Sequence, residues 1–398
     1  MSFVKHLECS RCSQTYSHRA LHNLCPACHS PLLVRYNLRT IKRHVKKTEL
    51  QSRPTDMWRY VEVMPVDRED DIVTLGEGFT PLLPLDRFGQ ECGLEKLYLK
   101  DEALNPTGSF KARGLSAAVS MARKLGVQKA ALPSAGNAAS ALAAYGAKAH
   151  MEIHIFIPKD TPAANRMEAE MLGARVQFVD GVITDAARAM ASQAEQEGWF
   201  DLSTLKEPYR IEGKKTMGYE LAEQFSWKLP DVIFYPTGGG TGLIGMWKAF
   251  GELEELGWID ARRPRMVVVQ SKGCAPIVKA FQEGWESAQP WPSPETLAAG
   301  LRVPSAIGDF LMLRILRESR GHAIAVSDDE IYQSIQQMGA EEGIFLCPEG
   351  AACCAALKTL SSRGWIKPHE SALIFNTAAG VKYIDSLKDF KLKTPVIA

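Results

Sequence analysis

The sequence predicts an α/β protein whose parallel sheets are covered by helices on both faces, preceded by a small cysteine-rich module. Three observations predict it. Short β-branched runs alternate with amphipathic stretches over most of the chain, the pattern of strands joined by crossover helices. Three of those runs end in loops rich in Gly, Ser, Asn and Thr, and α/β proteins bind ligands at the carboxyl ends of strands. Outside the alternation, the first forty residues carry two Cys-x-x-Cys pairs.

Composition narrows the class. A chain of 398 residues is too long for one simple core and suggests two domains with small extras. With 45% apolar and 23% charged residues it has an ordinary globular composition. Lys and Arg number 47 against 46 Asp and Glu, a net charge of +1. That balance recommends neither nucleic acid nor an acidic membrane as partner. Met1 to His6 lacks the apolar core of a signal peptide, and no apolar run is long enough to cross a bilayer. The expected location is the cytoplasm.

Taken in order, residues 1–40 form the module. Cys9-x-x-Cys12 and Cys25-x-x-Cys28 stand twelve residues apart, a spacing that can place four thiolates around one structural zinc. A segment of about thirty residues has too little core to fold alone, so a metal clip would supply the missing stability. Free reduced thiols, or a module that has lost its metal, are the alternatives. Cys92, Cys274, Cys347, Cys353 and Cys354 show no ligand spacing and read as small buried hydrophobes. Residues 41–70, charged and irregular from Lys42 to Arg68, read as a linker that wraps the body.

Residues 71–390 make the body. Leu97–Lys100, Ala130–Pro133, Ile153–Ile157, Arg175–Val179, Val232–Tyr235, Met266–Gln270 and Ala372–Phe375 read as strands. Ala112–Leu125 and Ala138–Ala149 read as helices. The three candidate loops are Ser134-Ala135-Gly136-Asn137, Pro236 to Gly242, and Asn376 to Gly380. Gly238, Gly239 and Gly240 let backbone amides approach an anion, Thr241 adds a hydroxyl, and the helix that follows turns its positive end there. This is a phosphate cradle without the Lys-Ser/Thr of a P-loop and without the dinucleotide spacing. A flexible turn without a ligand is the alternative, costly to order in a run of three glycines.

Asn105-Pro106-Thr107-Gly108-Ser109-Phe110-Lys111 sets a lysine just past a Pro/Gly turn, at the start of a helix. Its amine could form a Schiff base if burial or a neighbouring cation lowered its pKa. By itself the segment reads as well as a capping hydroxyl followed by a solvated lysine.

Lys111 after Ser109-Phe110, the Ser134–Asn137 loop, Gly238 to Gly242 and Thr377 together resemble the tryptophan-synthase-β-like, or fold type II, class of pyridoxal-phosphate enzymes. Within it, the cysteine module, Leu75-Gly76-Glu77-Gly78-x-Thr80-Pro81-Leu82, Asn105 to Lys111 and Pro158-Lys159-Asp160-Thr161-Pro162 are similar to threonine synthases. The likeness spans about Leu7 to Leu387. It implies two interleaved α/β domains, the smaller, about 116–215, inserted into the larger.

The resemblance also implies roles. Lys111 carries the Schiff base with pyridoxal 5'-phosphate and shuttles protons. Asn137 meets the cofactor's ring hydroxyl, Gly238, Gly239, Gly240, Thr241 and Gly242 hold its phosphate, and Thr377 faces the pyridine nitrogen. Ser134 and Asn137, at a helix N-terminus, also suit a substrate carboxylate. The implied reaction converts O-phospho-L-homoserine and water into L-threonine and phosphate, with Arg113, Lys159 and Lys214 as candidates for the substrate phosphate. Such enzymes are often homodimers, but no interface is legible. Two departures bear on the substrate: Ala112 stands where many members have aspartate, and Ala135 and Ala138 lack hydroxyls common in the asparagine loop. An ammonia-lyase or dehydratase acting on serine, threonine or diaminopropionate is the rival activity, and a partner-binding module with a vestigial site the rival class.

Overall fold

A computed structural model describes residues 3–387; the module's first two residues and residues 388–390 of the expected body lie outside the described residues. Strands β1 (Val4–Cys9), β2 (Thr15–Tyr16) and β3 (Leu32–Tyr36) form an antiparallel sheet in the order β2-β1-β3. Helix α1 (Leu38–His44) follows, its N-terminus capped by the Asn37 side chain, which accepts from Thr40 N. Tyr36 ties the module to the body, its hydroxyl donating to Glu212 Oε2 at 2.7 Å.

The charged stretch expected as an irregular linker wrapping the body does lie against it, but it is ordered and partly buried. It forms 3-10 turns at Lys47–Ser52 and Met57–Val63, and Met57, Trp58, Arg59 and Tyr60 are buried. Its charges are spent on partners brought in from elsewhere. Arg59 pairs with Glu223 at 2.7 Å, and Trp58 Nε1 donates to Glu77 Oε1 and Ser116 Oγ at 3.0 and 3.1 Å.

The body begins with β4 (Leu82–Pro84), α2 (Asp86–Glu91), β5 (Lys96–Asp101) and α3 (Lys111–Lys124). The chain then leaves for a second sheet, through β6 (Lys129–Pro133), α4 (Asn137–Lys148), β7 (Glu152–Pro158), α5 (Ala163–Met171), β8 (Arg175–Val179), α6 (Ile183–Glu197) and β9 (Phe200–Asp201). These four strands are parallel in the order β8-β7-β6-β9. It returns through α7 (Tyr209–Gln224), β10 (Val232–Pro236), α8 (Thr241–Leu256), β11 (Arg265–Ser271), α9 (Pro276–Gln282), α10 (Asp309–Glu318), β12 (His322–Val326), α11 (Asp328–Glu342), α12 (Pro348–Ser362) and β13 (Ser371–Asn376).

The first sheet is completed by these late strands, in the order β12-β11-β10-β13-β5-β4, with only β4 antiparallel. Because β5 pairs with β13 across the whole excursion, the two sheets interleave in the chain, as expected. β10 lies at the centre of its sheet with both faces covered. Ile233 and Tyr235 enter one apolar cluster, Val232 and Phe234 the other, the period-2 alternation of a doubly covered strand. Each such side chain stabilises the fold by roughly 1.5–3 kcal/mol. Among the described residues, no helix is long and apolar enough to cross a membrane.

Candidate active site

Lys111 opens α3 from a tightly folded loop. Thr107 and Gly108 both take left-handed backbone, at φ +57° and +59°, a reversal for which Gly108 pays no steric penalty. The loop is then pinned to the end of β13. Phe110 N donates to Thr377 O at 3.0 Å, and Ala379 N donates to Gly108 O at 2.9 Å. Backbone bonds therefore set the positions of the lysine and of the loop after β13 together.

Burial, reinforced by the nearby Arg210 charge and opposed by Glu349, pushes the Lys111 amine down to about 8. Its Nζ lies 4.4 Å from the Phe110 ring centre. Lys214 Nζ sits 3.7 Å from that ring and donates to Phe110 O. Burial, then the charges of Lys111 and Arg210, hold Lys214 well below the ordinary lysine range.

A cavity of about 240 Å³ gathers Lys111, Asn137, the residues from Gly238 to Gly242, and Thr377. The Ser134 loop connects β6 to α4, with Ser134 Oγ accepting from Gly136 N and Ala139 N at 3.1 and 3.2 Å. Asn137 Nδ2 donates to Tyr383 Oη at 2.8 Å, while its Oδ1 is buried without a partner. The glycines run from β10 into α8, Gly240 at φ +80°. A Cβ on Gly239 would stand 2.8 Å from Thr204 Cγ2, so the cradle closes against the opposite wall only if the residue is glycine.

The three cations considered for a substrate phosphate do not line this cavity. Arg113 is fully buried between Glu102 and Glu220, at 2.6 and 2.5 Å. Lys159 is an exposed partner of Asp180 at 2.7 Å. Lys214 is held behind Phe110. Helical position near Lys111 says nothing of which face a cation takes, and buried carboxylates claimed Arg113. Ala112 is fully buried in the main apolar cluster, so it bears on packing there.

Several residues in the cavity wall, or buried just behind it as Arg210 and Glu207 are, escaped the sequence reading. Arg210, buried in the first turn of α7, donates to Leu202 O at 2.9 Å and leaves Nε without a partner. Glu207 accepts from the N–H groups of Tyr209 and Arg210 at 2.7 and 3.1 Å, and burial raises its carboxyl to about 7. Glu349, at the start of α12, accepts from Gly300 N at 2.7 Å and is raised by burial. Tyr383 arrives from the 3-10 turn at Gly380–Leu387. The segments 203–206 and 299–307 complete the walls. None carries a local pattern; Pro208 before a helix start was the one available hint, and it marks Arg210 only by position.

The four module cysteines converge, their sulfurs all within 4.8 Å of one another. Cys9 and Cys28 Sγ are 3.3 Å apart, Cys12 and Cys25 Sγ 3.7 Å. Tetrahedral zinc with Zn–S bonds of about 2.3 Å sets sulfurs about 3.8 Å apart, so the cluster suits one structural zinc. All nine cysteines are free of disulfides.

The cavity's chemistry suits pyridoxal phosphate: an amine biased toward its neutral form, amides at a helix N-terminus, an unpartnered buried amide oxygen and a hydroxyl at Thr377. The model of the family described as "Pyridoxal-phosphate dependent enzyme" matches residues 73–378. The threonine synthase of Methanosarcina acetivorans is 36% identical over 373 residues, 94% of this chain and 91% of that protein. That of Methanocaldococcus jannaschii is 34% identical, over 95% of this chain and 93% of its own. The fold is similar to that of a processed threonine deaminase from Solanum lycopersicum, with a TM-score of 0.66 at 21% identity, covering 85% of this chain and 96% of that one. It is also similar to maize serine racemase, with a TM-score of 0.65 at 23% identity over 76% and 88% of the two chains. With motifs, fold and near full-length similarity in agreement, the chain belongs to the pyridoxal-phosphate-dependent enzyme family, among its threonine synthases.

Proposed function

We propose that this enzyme converts O-phospho-L-homoserine and water into L-threonine and phosphate. The observation that carries the reading is similarity to threonine synthases along almost the whole chain, 36% over 94% of its length, joined to a cavity whose lysine lies beside a buried, incompletely paired arginine. When bound, pyridoxal phosphate supplies the carbonyl that takes the substrate amine and the ring that draws electrons from Cα. Lys111 Nζ, biased toward its neutral form, receives and returns the protons moved between carbons. Gly238 to Gly242 and the N-terminus of α8 hold the cofactor phosphate, and Asn137 orients the ring. Thr377 offers the ring nitrogen a hydroxyl rather than a carboxylate, which suits elimination and replacement. Arg210, behind Lys111 and outside the cavity lining, helps to keep that amine neutral by its charge.

The test is incubation of purified protein with O-phosphohomoserine. Equal yields of phosphate and threonine support the reading; a cofactor-coloured protein releasing neither overturns it. Ala135 and Ala138, which line the cavity without hydroxyls, favour a second reading: an ammonia-lyase or dehydratase, which would instead form a keto acid from serine, threonine or diaminopropionate.

The same reading places the enzyme in the cytoplasm as a homodimer. Free cysteines fit a reducing compartment. Leu104, Met167, Met171, Val381 and Ile384 are exposed on elements that meet around Lys382, which bonds Thr107 O and Glu168 Oε2 at 2.8 and 2.5 Å. Exposed apolar side chains on neighbouring elements suit a subunit contact, and sedimentation of Val381→Asp would report monomers.

A further inference from the structure

We propose that Asn23, carried on the cysteine module, is a positioning residue for one wall of the substrate cavity. The inference rests on reading that cavity as the substrate site. Asn23 stands two residues before Cys25, and its side-chain amide reaches across to the body. Nδ2 donates to Asp201 O at 2.8 Å and to Lys206 O at 3.1 Å. Those carbonyls bracket Ser203, Thr204 and Leu205, which line the cavity together with Lys206. One NH2 group thus closes both ends of the wall. Only an amide fits the task, because both partners are acceptors and asparagine brings two hydrogens on one short stem.

The wall needs the support. Leu205 is buried with φ +63°, a left-handed conformation unfavourable for a β-carbon-bearing residue, which persists only where surrounding contacts over-determine it. Other bonds hold the loop only from within or at one end: Leu202 N to Ala131 O at 2.9 Å, Lys206 N to Ser203 O at 3.1 Å, and Ser203 N to Asp201 Oδ1 at 2.8 Å. Thr204 faces Gly239 of the phosphate cradle, so a loosened wall would open the cavity on that side.

Asn23 has companions on the same module. Tyr209 Oη donates to His18 O at 3.4 Å, and the Arg11 guanidinium lies 4.4 Å from the Phe310 ring centre on α10, a few residues past cavity-lining Ser305, Ala306 and Ile307. Arg11 lies between Cys9 and Cys12, His18 and Asn23 between Cys12 and Cys25. Every one of these contacts comes from a loop bounded by thiols that suit a metal. A module this small relies on such a clip for its shape, so a metal bound by these thiols would support the wall through Asn23.

The experiment compares the holoenzyme with Asn23→Asp and Asn23→Gln, and with Arg35→Ala, which breaks a half-buried pair with Glu8 in the same module. Metal content, cofactor absorbance, amide exchange at residues 201–207, KM and kcat are measured. Asn23→Asp replaces two donors by a carboxylate facing two carbonyls. It should retain metal and cofactor, exchange at least about tenfold faster at 201–207, and raise KM for O-phosphohomoserine about tenfold with kcat within about twofold. Asn23→Gln should recover part of both losses, and Arg35→Ala should show neither. Wild-type exchange and KM in Asn23→Asp, or equal effects in Arg35→Ala, would overturn the proposal. Should Asn23→Asp not fold, chelation of the wild-type protein decides: exchange should quicken at 201–207 ahead of the rest of the body, and unchanged protection there after the metal has left refutes the link. The exchange arms need no substrate, so inactivity toward O-phosphohomoserine would count against the reaction and not against the wall.

Discussion

Lys100 and Lys111 stand eleven residues apart at either end of one loop, in opposite surroundings: Lys100 is wholly buried, Lys111 half-buried at the cavity wall. Lys100, fully buried, spends its three hydrogens on Thr80 O, Glu220 Oε2 and Gln224 Oε1 at 2.7, 3.0 and 2.8 Å. Arg113 joins the same cluster, bonding both Glu102 and Glu220 through paired contacts. Despite burial, these two cations hold Glu220 down to about 2. Lys111 Nζ has no hydrogen bond or ion pair among the described residues; its neighbours are an aromatic ring and the Arg210 charge. A buried cation whose partners are all present stays charged and acts as a structural joint. A desolvated amine left unpaired at a cavity wall is driven toward its reactive neutral form.

Replacing the unpaired lysine should have the largest effect. Lys111→Ala should remove the visible cofactor absorbance and cut turnover by roughly 10⁴-fold or more, with thermal stability of the apoprotein unchanged or raised. Intact absorbance in that variant would break the contrast at its root.

Breaking the paired cluster should do the reverse. Glu220→Ala leaves Lys100 and Arg113 short of a carboxylate in the interior and should cost about 3–5 kcal/mol in denaturant unfolding. A cost under about 1 kcal/mol would mean that the cluster is not the joint described.

The pH response sharpens the same point. Because the folded-state pKa of Lys111 is about 8 against an ordinary 10.5, the unfolded chain binds more protons in that window. The Lys111 contribution to stability is therefore fully present above about 10.5 and is lost as pH falls toward 8. Apoprotein melts of wild type and Lys111→Ala should approach one another as pH rises: wild type gains on the variant from pH 8 to 10.5, and labelling of Lys111 has its midpoint near 8. A midpoint near 10.5 would put this amine in the same state as a surface lysine.

Asn137→Ala should have the smallest effect, because one neutral hydrogen bond is worth about 1 kcal/mol. Cofactor affinity should fall about fivefold by titration, with turnover at saturating cofactor nearly unchanged.

Legibility followed locality. β8 was read residue for residue, and β5, β6, β7, β10, β11 and β13 to within one or two residues at each end, because β-branched runs and Gly/Pro breaks act on adjacent backbone. β9 and β12 passed unread: β9 is two residues long, and β12, His322–Val326, lacks a strong β-branched run. β1, β2 and β3 were hidden because the cysteines dominate that stretch and its pairings are antiparallel and short. The Lys42–Arg68 stretch was legible as wrapping the body but not as ordered, since the partner that fixes Arg59 is a glutamate 164 residues away.

The sequence by itself determined the lysine after its Pro/Gly turn, the glycine run ahead of a helix, the asparagine loop and the thiol spacing. Each of these is local chemistry: a backbone that only glycine relieves, a helix end that attracts an anion, two cysteines close enough to share a metal. Only the tertiary structure decided which cations are spent and which are free, that Arg210 rather than Arg113 or Lys159 stands by Lys111, and that Asn23 reaches the wall at 201–206. Those outcomes depend on side chains tens to hundreds of residues apart meeting in a low-dielectric interior, where a partner present or missing changes the state of a charge.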